Sequence, residues 1–363
     1  MQSADFIVIG AGIAGASVGY RLAEHGSVLI LERESIAGYH TTGRSAAVFT
    51  EAYESDDVRT LVRASRGFLT APPKGFTEVP LLSPMPVMFV ARPDQMPSLE
   101  VEFQRSDRLV RRLDQRAART FCPALRPGHT TAGLLEEGAC SIDVHALHQG
   151  FLRGVRRLGG RVVTGAEVTS MRRPSTWTIE TTAGSFSAPT VVNAAGAWAD
   201  EIAVMAGAGA AGLTPMRRTA FTFDPHTDTD DWPMVIDIDE EFYFKPDGAL
   251  LLASPCDQTP MAACDVRHEE LDVAMAIDRI QTATTLEIRH VASAWAGLRT
   301  FVPDRRPVVG WDLSVPGFFW LAGQGGFGIM TSPAMADTAM ALIAGGEPPQ
   351  GVNPDRLSPE RLS

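Results

Sequence analysis

Cysteine is scarce, at four in 363 residues. Cys122, Cys140, Cys256 and Cys264 form no C-x-x-C pair and have no histidine at ligand spacing, which argues against a zinc ribbon, a disulfide framework or any other metal site. A reducing compartment fits that usage. Blocks of consecutive Lys or Arg are missing, and 43 acidic side chains outnumber 32 basic ones for a net charge of −11. Neither nucleic acid nor an anionic membrane surface is therefore expected as a partner. Apolar stretches are broken by glycine or charge well short of the roughly 18 residues of a transmembrane helix, so no transmembrane segment is expected. The strand-like run Phe6 to Ile9 comes too early for the basic region, apolar stretch and cleavage site of a secretory signal, and a cytoplasmic location is the expectation. Internal repeats and low-complexity segments are lacking too, apart from a Gly/Pro-rich tail after Ala344.

What is present is the composition of a globular chain. Hydrophobic residues make up 45%, ample for a core, and at roughly 150 residues per domain the length predicts about two domains. The first thirty-odd residues read as one βαβ unit. Phe6 to Ile9 is a buried strand, Ile13 to His25 has helical spacing, Gly26 ends it, and Val28 to Leu31 is a second apolar strand ending in Glu32. Between strand and helix lies Gly10-Ala11-Gly12-Ile13-Ala14-Gly15. In that pattern the first glycine makes a tight turn, the second lets the backbone approach a pyrophosphate, and the third lets the helix pack on the strand, aiming its N-terminus at phosphate charge. Glu32 is placed to accept hydrogen bonds from ribose hydroxyls. A bare glycine-rich turn is the competing reading, and the strand, helix and acid in their places favour a dinucleotide site over it.

Gly38 to Ser45 reads as a polar loop after this unit, a linker or a cofactor clamp. Residues 57 to 70 look helical, and Phe76 to Val90 alternates short apolar runs with proline, as strands of a second layer do. Asp143 is an N-cap signal for a helix to Arg157. His145 and His148 on that helix lack a third ligand and read as solvated or core-edge histidines. Arg161 to Thr164, Val168 to Met171 and Thr176 to Thr182 read as strands of one meander, and Thr190 to Asn193 feeds a small-residue turn and a helix to about Ala206. Leu213 to Pro255 has strand character with a hairpin signal at Pro246-Asp247-Gly248, Glu269 to Ala283 is helical, and Ile288 to Phe301 is extended. Phe318 to Ala322, the glycine-rich Gly323 to Ile329 and a helix from Thr331 to Ile343 form a second strand-to-helix turn suited to an anion or a dipole-sensitive ligand.

Gly10-x-Gly12-x-x-Gly15-x-x-x-Gly19, Leu31-Glu32-Arg33, Gly43-Arg44-Ser45, Asn193-Ala-Ala-Gly196-Ala-Trp198 and Gly325-Gly326-x-Gly328 together resemble the FAD-dependent amino-acid oxidase superfamily of glycine, sarcosine and D-amino acid oxidases. Within it, the resemblance to the bacterial D-arginine dehydrogenases runs nearly end to end, through Gly38 to Ser45, Pro80 to Pro84, Ala146 to Gly150, Trp295 to Arg299 and the Leu357 to Ser363 tail. It implies an α/β plus α+β fold. A discontinuous, Rossmann-like FAD-binding domain would take residues 1–75, 143–212 and 302–363, and a substrate domain on an antiparallel sheet would take 76–142 and 213–301 and roof the flavin ring. It also implies noncovalent FAD, with Gly10, Gly12, Ile13, Ala14, Gly15, Glu32 and Arg33 at its ADP half. Thr42, Gly43, Arg44, Ser45, Ala46 and Ala47 would line the ring and ribityl chain, and Val168, Ala195 and Gly196 would lie near the adenosine and phosphates. Gly325, Gly328, Ile329 and Thr331 would close the pyrimidine side, with Trp198 and Gly297 as further cofactor contacts. Reduced flavin gains negative charge at its pyrimidine edge, which the positive end of a helix dipole stabilises.

Four catalytic candidates carry over with the resemblance: Arg218 and Arg299 as a carboxylate clamp, Tyr53 and Tyr243 as active-site tyrosines. A guanidinium grips a carboxylate with two parallel hydrogen bonds and never loses its charge, which fixes the α-carbon for hydride departure. Arg217 would exchange roles with Arg218 if the strand register were off by one. The matching substrate-pocket positions are Val48, Thr50, Val87, Met234, Ile236, Gly326 and Met330. Here the chain departs from the arginine enzymes. Val48 replaces a histidine, Val87 the glutamate that holds the distal cation, and Met330 a glutamine. The expected function is oxidative deamination of a D-amino acid with a neutral or apolar side chain to an imine, then a 2-oxo acid and ammonia, with oxygen, a quinone or another carrier as electron acceptor. Oxidation of an N-methylamino acid or a 2-hydroxy acid, and a non-catalytic flavin-binding assembly role, are the alternatives. A nicotinamide-linked reductase is disfavoured, because FAD takes the one βαβ glycine fingerprint.

Overall fold

Short runs of consecutive apolar residues read as strands buried on both faces. In the computed structural model, which describes residues 2–52 and 54–362, four of them, Phe6–Ile9, Val28–Leu31, Thr190–Asn193 and Phe318–Ala322, form the centre of a six-stranded sheet. Arg161–Val163 adds to one edge beside Val28–Leu31, and Val308–Trp311 to the other beside Phe318–Ala322. All pairings are parallel except the last. One face is covered by the helices Ile13–Leu22, Asp56–Thr70, Val144–Arg157 and Gly328–Ala344, the other by the helix Ala199–Ala206 and a small sheet.

Two expectations about this half are corrected. Arg161–Val163 does not belong to the meander: after the helix Val144–Arg157 the chain reverses at Gly159, with φ of 88°, and returns parallel to Val28–Leu31 as an edge strand of the six-stranded sheet. The meander consists of Val168–Arg172, Trp177–Thr181 and Gly184–Ala188. The final helix begins at Gly328 rather than Thr331, so its first turn is part of the glycine-rich segment, where no apolar period marks it.

The second half is a nine-stranded sheet, antiparallel except that Met234–Asp237 runs parallel to Val87–Ala91. Period-two alternation sorts its side chains. Met88, Val90, Phe221, Phe223, Val235, Phe244 and Leu251 point to a core covered by the helices Gln115–Phe121 and Glu270–Ala283. Val87, Phe89, Ala220, Met234, Tyr243 and Leu252 point to the opposite face, toward the six-stranded half. A three-stranded sheet of Val48–Phe49, Leu82–Pro84 and Cys140–Ile142 lies between them. Every strand of the six-stranded sheet comes from residues 1–75, 143–212 or 302–363, and every strand of the nine-stranded sheet from 76–142 or 213–301. Among the described residues no helix is long and apolar enough to cross a membrane.

His148, on the helix Val144–Arg157, braces the first glycine turn. It is 4% exposed, its Nε2 lies 2.8 Å from the Ala11 carbonyl oxygen, and its ring fills the space beside Gly38. Burial, with a smaller push from His145, holds its pKa below the ordinary 6.5. As pH falls the unfolded chain therefore takes up the proton first. The stability is intact above about pH 6.5 and is lost as pH falls toward the lower folded-state value. His148→Gln, which keeps a donor for Ala11, is expected to flatten the fall in unfolding free energy between about pH 7 and 5, by up to about 1.4 kcal/mol per pH unit. Denaturant midpoints that drop equally in both proteins would count against this.

Candidate active site

The first glycine turn is fixed by close approach. Gly10 has φ of 100°, and a Cβ on Gly15 would lie 1.8 Å from the Gly10 carbonyl oxygen, so only glycine lets the helix Ile13–Leu22 start against the end of Phe6–Ile9. Side chains from two later segments then tie the turn down. Ala11 N donates to Glu32 Oε2 at 2.8 Å, and Ile13 N donates to Thr42 Oγ1 at 2.9 Å. At the outer end the His40 ring packs 4.6 Å from Trp198, whose indole lies 4.8 Å from the Arg33 guanidinium.

The strand Ser293–Phe301 joins this turn to the nine-stranded sheet. Along its length it pairs with Thr214–Phe223, from Thr214↔Phe301 to Thr222↔Ser293. The turn Thr41–Arg44 grips the same strand: Thr41 Oγ1 donates to Leu298 O at 2.8 Å, Arg44 Nη1 donates to Ala296 O at 3.1 Å, and Trp295 Nε1 donates back to Arg44 O at 3.1 Å. The second glycine turn attaches through Gly325 N, 2.9 Å from Thr300 O.

That ladder decides which arginines face inward. Arg218 stands opposite Gly297 and Arg299 opposite Met216, so the two are diagonal neighbours on one face, and both line the cavity. Arg217 points the other way, to Glu269 at 2.9 Å and Asp272 at 2.8 Å, and is not among the lining residues. Arg218 Nε donates to the Asp257 carbonyl oxygen at 2.9 Å, and Nη2 lies 3.8 Å from Glu240. Arg299 sits between the rings of Phe301 and Phe327, and Gly326 leaves room for it: a Cβ there would be 2.0 Å from Nη2. Tyr243 is 8% exposed, and burial pushes its phenol pKa up, so it stays a hydrogen-bond donor. Burial likewise pushes the Cys256 thiol up to about 12, which keeps it an unreactive wall residue.

One continuous cavity runs from Arg33 and Trp198 to Val87 and Met234. It is lined by Arg218, Tyr243, Arg299, Val48, Thr50, Ile236, Gly326 and Met330 among the proposed substrate and catalytic positions. Of the proposed cofactor positions, Gly10, Gly12, Ile13, Ala14, Glu32, Thr42, Arg44, Ser45, Ala46, Ala47, Val168, Ala195, Gly196, Gly297, Gly325, Gly328 and Ile329 also line it. Three do not. Gly15 is consumed by its approach to Gly10, Gly43 by a turn onto Gly38 O at 2.8 Å, and the Thr331 hydroxyl donates to Phe327 O inside the final helix. Tyr53 lies outside the described residues. Among the lining residues that sequence reading missed are Tyr39, His40, Glu240, Cys256 and Gln324. Gln324 and His40 were within reach, since they sit in the two segments singled out. Glu240 and Cys256 emerge only from strand pairing.

The residues present fit FAD. The Gln324 Nε2 amide is buried in the cavity wall without an acceptor among the described residues, and a ligand oxygen or ring nitrogen would satisfy it. In the helices Ile13–Leu22 and Gly328–Ala344 the N-cap residue makes no side-chain cap bond, and with Ile13 N met by Thr42 the remaining first-turn donors and the positive ends of two dipoles suit a pyrophosphate and the flavin pyrimidine edge.

Comparison with known proteins agrees. The sequence profile of the FAD-dependent oxidoreductases matches residues 5–342. Mitochondrial dimethylglycine dehydrogenase of Mus musculus is 24% identical over 95% of this chain, which spans only 43% of that relative's length. Glycine oxidase from Geobacillus kaustophilus superposes with a TM-score of 0.86 at 21% identity, covering 99% of this chain and 98% of its own. L-proline dehydrogenase from P. horikoshii gives 0.86 at 18% identity, covering 99% and 98%. The chain belongs to the FAD-dependent oxidoreductase family, and FAD is its cofactor.

Proposed function

We propose that the protein oxidises a D-amino acid with a neutral, chiefly apolar side chain to its imine, which water converts to a 2-oxo acid and ammonia. The observation that carries this reading is the pair Arg218 and Arg299 on one sheet face, lining the same cavity as the apolar wall of Val48, Val87, Met234 and Met330. Two guanidiniums grip the carboxylate and fix the α-carbon, and the phenol of Tyr243 donates a hydrogen bond beside it. The covered sheet face keeps water away. FAD, when bound, supplies the two-electron acceptor that takes the α-hydride. The electrons then pass to oxygen, a quinone or another carrier. We further propose that the FAD is held noncovalently by residues 10–14, Glu32, Arg33, 42–47, 195–198 and 325–329, that residues 76–142 and 213–301 form the substrate domain, and that the protein works in the cytoplasm.

A second reading is oxidation of an N-methylated amino acid. It is favoured by the likeness to dimethylglycine dehydrogenase and rests on the same carboxylate clamp.

An anaerobic panel of D-amino acids, N-methylamino acids and 2-hydroxy acids, read by bleaching of the flavin, tests the choice. A guanidinium or ammonium placed between Val48, Val87 and Met330 loses hydration worth several kcal/mol, whereas an aliphatic or thioether side chain gains about 1.5–3 kcal/mol there. D-Leucine or D-methionine is therefore expected to exceed D-arginine in kcat/KM, and Val87→Glu to shift the ratio toward the cation. A tenfold preference for D-arginine or D-lysine in the wild type contradicts the reading, and bleaching by N-methylamino acids alone selects the second.

Arg299→Met should cost about 2–5 kcal/mol in kcat/KM, because it leaves a buried carboxylate without one partner. The variant should stay yellow, and acid precipitation should release FAD from both proteins. Normal turnover by the variant would refute the clamp, and colour that stays with the pellet would refute noncovalent binding.

A further inference from the structure

The register of the nine-stranded sheet gives the pocket a direction. Glu136 pairs with Val87, Val87 with Met234, Lys245 with Leu252 and Leu252 with Thr222. Val235 opposite Phe244 puts Met234 beside Lys245, which completes one line across the sheet. Arg218 lies four residues from Thr222 along the same strand, on the same face, about 13 Å away at roughly 3.3 Å per residue. A substrate whose carboxylate meets Arg218 and Arg299 therefore extends its side chain toward the line of Val87 and Met234.

Glu136 stands at the end of that line, one strand behind Val87. It is 3% exposed and is not among the cavity-lining residues. Its carboxylate is fixed by the segment that forms the adjoining wall: Thr50 Oγ1 donates to Oε2 at 2.5 Å, Glu51 N donates to Oε1 at 2.8 Å, and the Ala52 amide adds a third donor. Burial raises its pKa while these donors oppose the rise. The two amides can only donate and the Thr50 hydroxyl is able to, so all three can serve an ionised carboxylate. Glu51, an acid that acts on Glu136 as a like charge, is paired with Arg66. Glu240 lies at the opposite end, beside Arg218. Lys245, the buried cation beyond Met234, does not line the cavity, and among the described residues it makes no bond to a lining residue of the kind Glu136 makes to Thr50.

We propose that Glu136 is a specificity-determining residue that does not touch substrate: its buried carboxylate, behind the wall formed by Val87 and Thr50, discriminates against substrates with an anionic side chain. Charges separated by a few ångströms of protein are poorly screened, so the effect falls on charge rather than on size or shape. The proposal rests on the clamp reading of Arg218 and Arg299.

The test uses isosteric ligands that differ only in charge at the far end. Succinamate and succinate are titrated into FAD-loaded protein and followed by perturbation of the flavin absorbance, with D-asparagine and D-aspartate as the matching turnover pair. Wild type is expected to bind succinamate at least tenfold more tightly than succinate. Glu136→Gln should lower that ratio about tenfold, or 1.4 kcal/mol, without loss of FAD. Lys245→Met should widen it. If Glu136→Gln does not fold, the double variant Glu136→Leu/Thr50→Val replaces the charge and its side-chain partner together and is read by the same ratio. A ratio unmoved by removing the carboxylate, or succinate bound as well as succinamate by wild type, overturns this proposal alone. A protein whose flavin responds to neither ligand overturns the clamp reading and this proposal with it.

Discussion

The strand Ser293–Phe301 is the constraint on which the rest depends. One edge is zipped to Thr214–Phe223, which presents Arg218, and the strand itself presents Arg299 and Gly297. The backbone is also held by Thr41 and Arg44 and by the amide of Gly325, so the nine-stranded sheet cannot shift without pulling both nucleotide-side turns. A slip of Thr214–Phe223 by one residue would send Arg218 to the far face and bring Arg217 inward. The ion pairs of Arg217 with Glu269 and Asp272 resist that slip, since breaking them would strand charges in a partly buried setting.

Around that strand the cavity is divided by chemistry. One part holds two cations, Arg218 and Arg299, in a sheltered setting, with Asp257 and Glu240 beside Arg218. The other part is aliphatic and thioether wall, which rewards burial of apolar surface and gives a cation no direct partner. Two buried charges flank that part, Glu136 behind Thr50 and Val87 and Lys245 beside Met234. On the proposed reading, a pocket of this kind holds the substrate carboxylate at the arginines and sorts substrates by side-chain polarity at the apolar wall.

How much of this was legible in the sequence follows from how local each signal is. The turn Gly10 to Gly15, the N-cap at Asp143, whose Oδ1 accepts from Ala146 N at 2.8 Å, and the strand Phe318–Ala322 are all written within a dozen residues. The choice of Arg218 over Arg217 needs the register between strands some eighty residues apart, and so remained open until the ladder was seen. Gly15, Gly43 and Thr331 fit the motif yet serve packing, because a motif does not say which of its residues face the ligand and which let the backbone close behind it. Glu136 gave no signal at all. It ends an ordinary strand, and its meaning comes from Thr50 and Val87, far away in sequence and adjacent across the fold.

The central claim is that Arg218 and Arg299 together receive a substrate carboxylate, with the side chain directed at Val87 and Met234. The most direct measurement is a crystal structure of the FAD-loaded protein with 4-methylpentanoate, which carries the carboxylate and branched chain of leucine without the reacting amine. The account predicts both guanidiniums within hydrogen-bond distance of the carboxylate and the isopropyl end against Val87 and Met234. A carboxylate held elsewhere, or a reversed ligand with its alkyl end at Arg299, would contradict it.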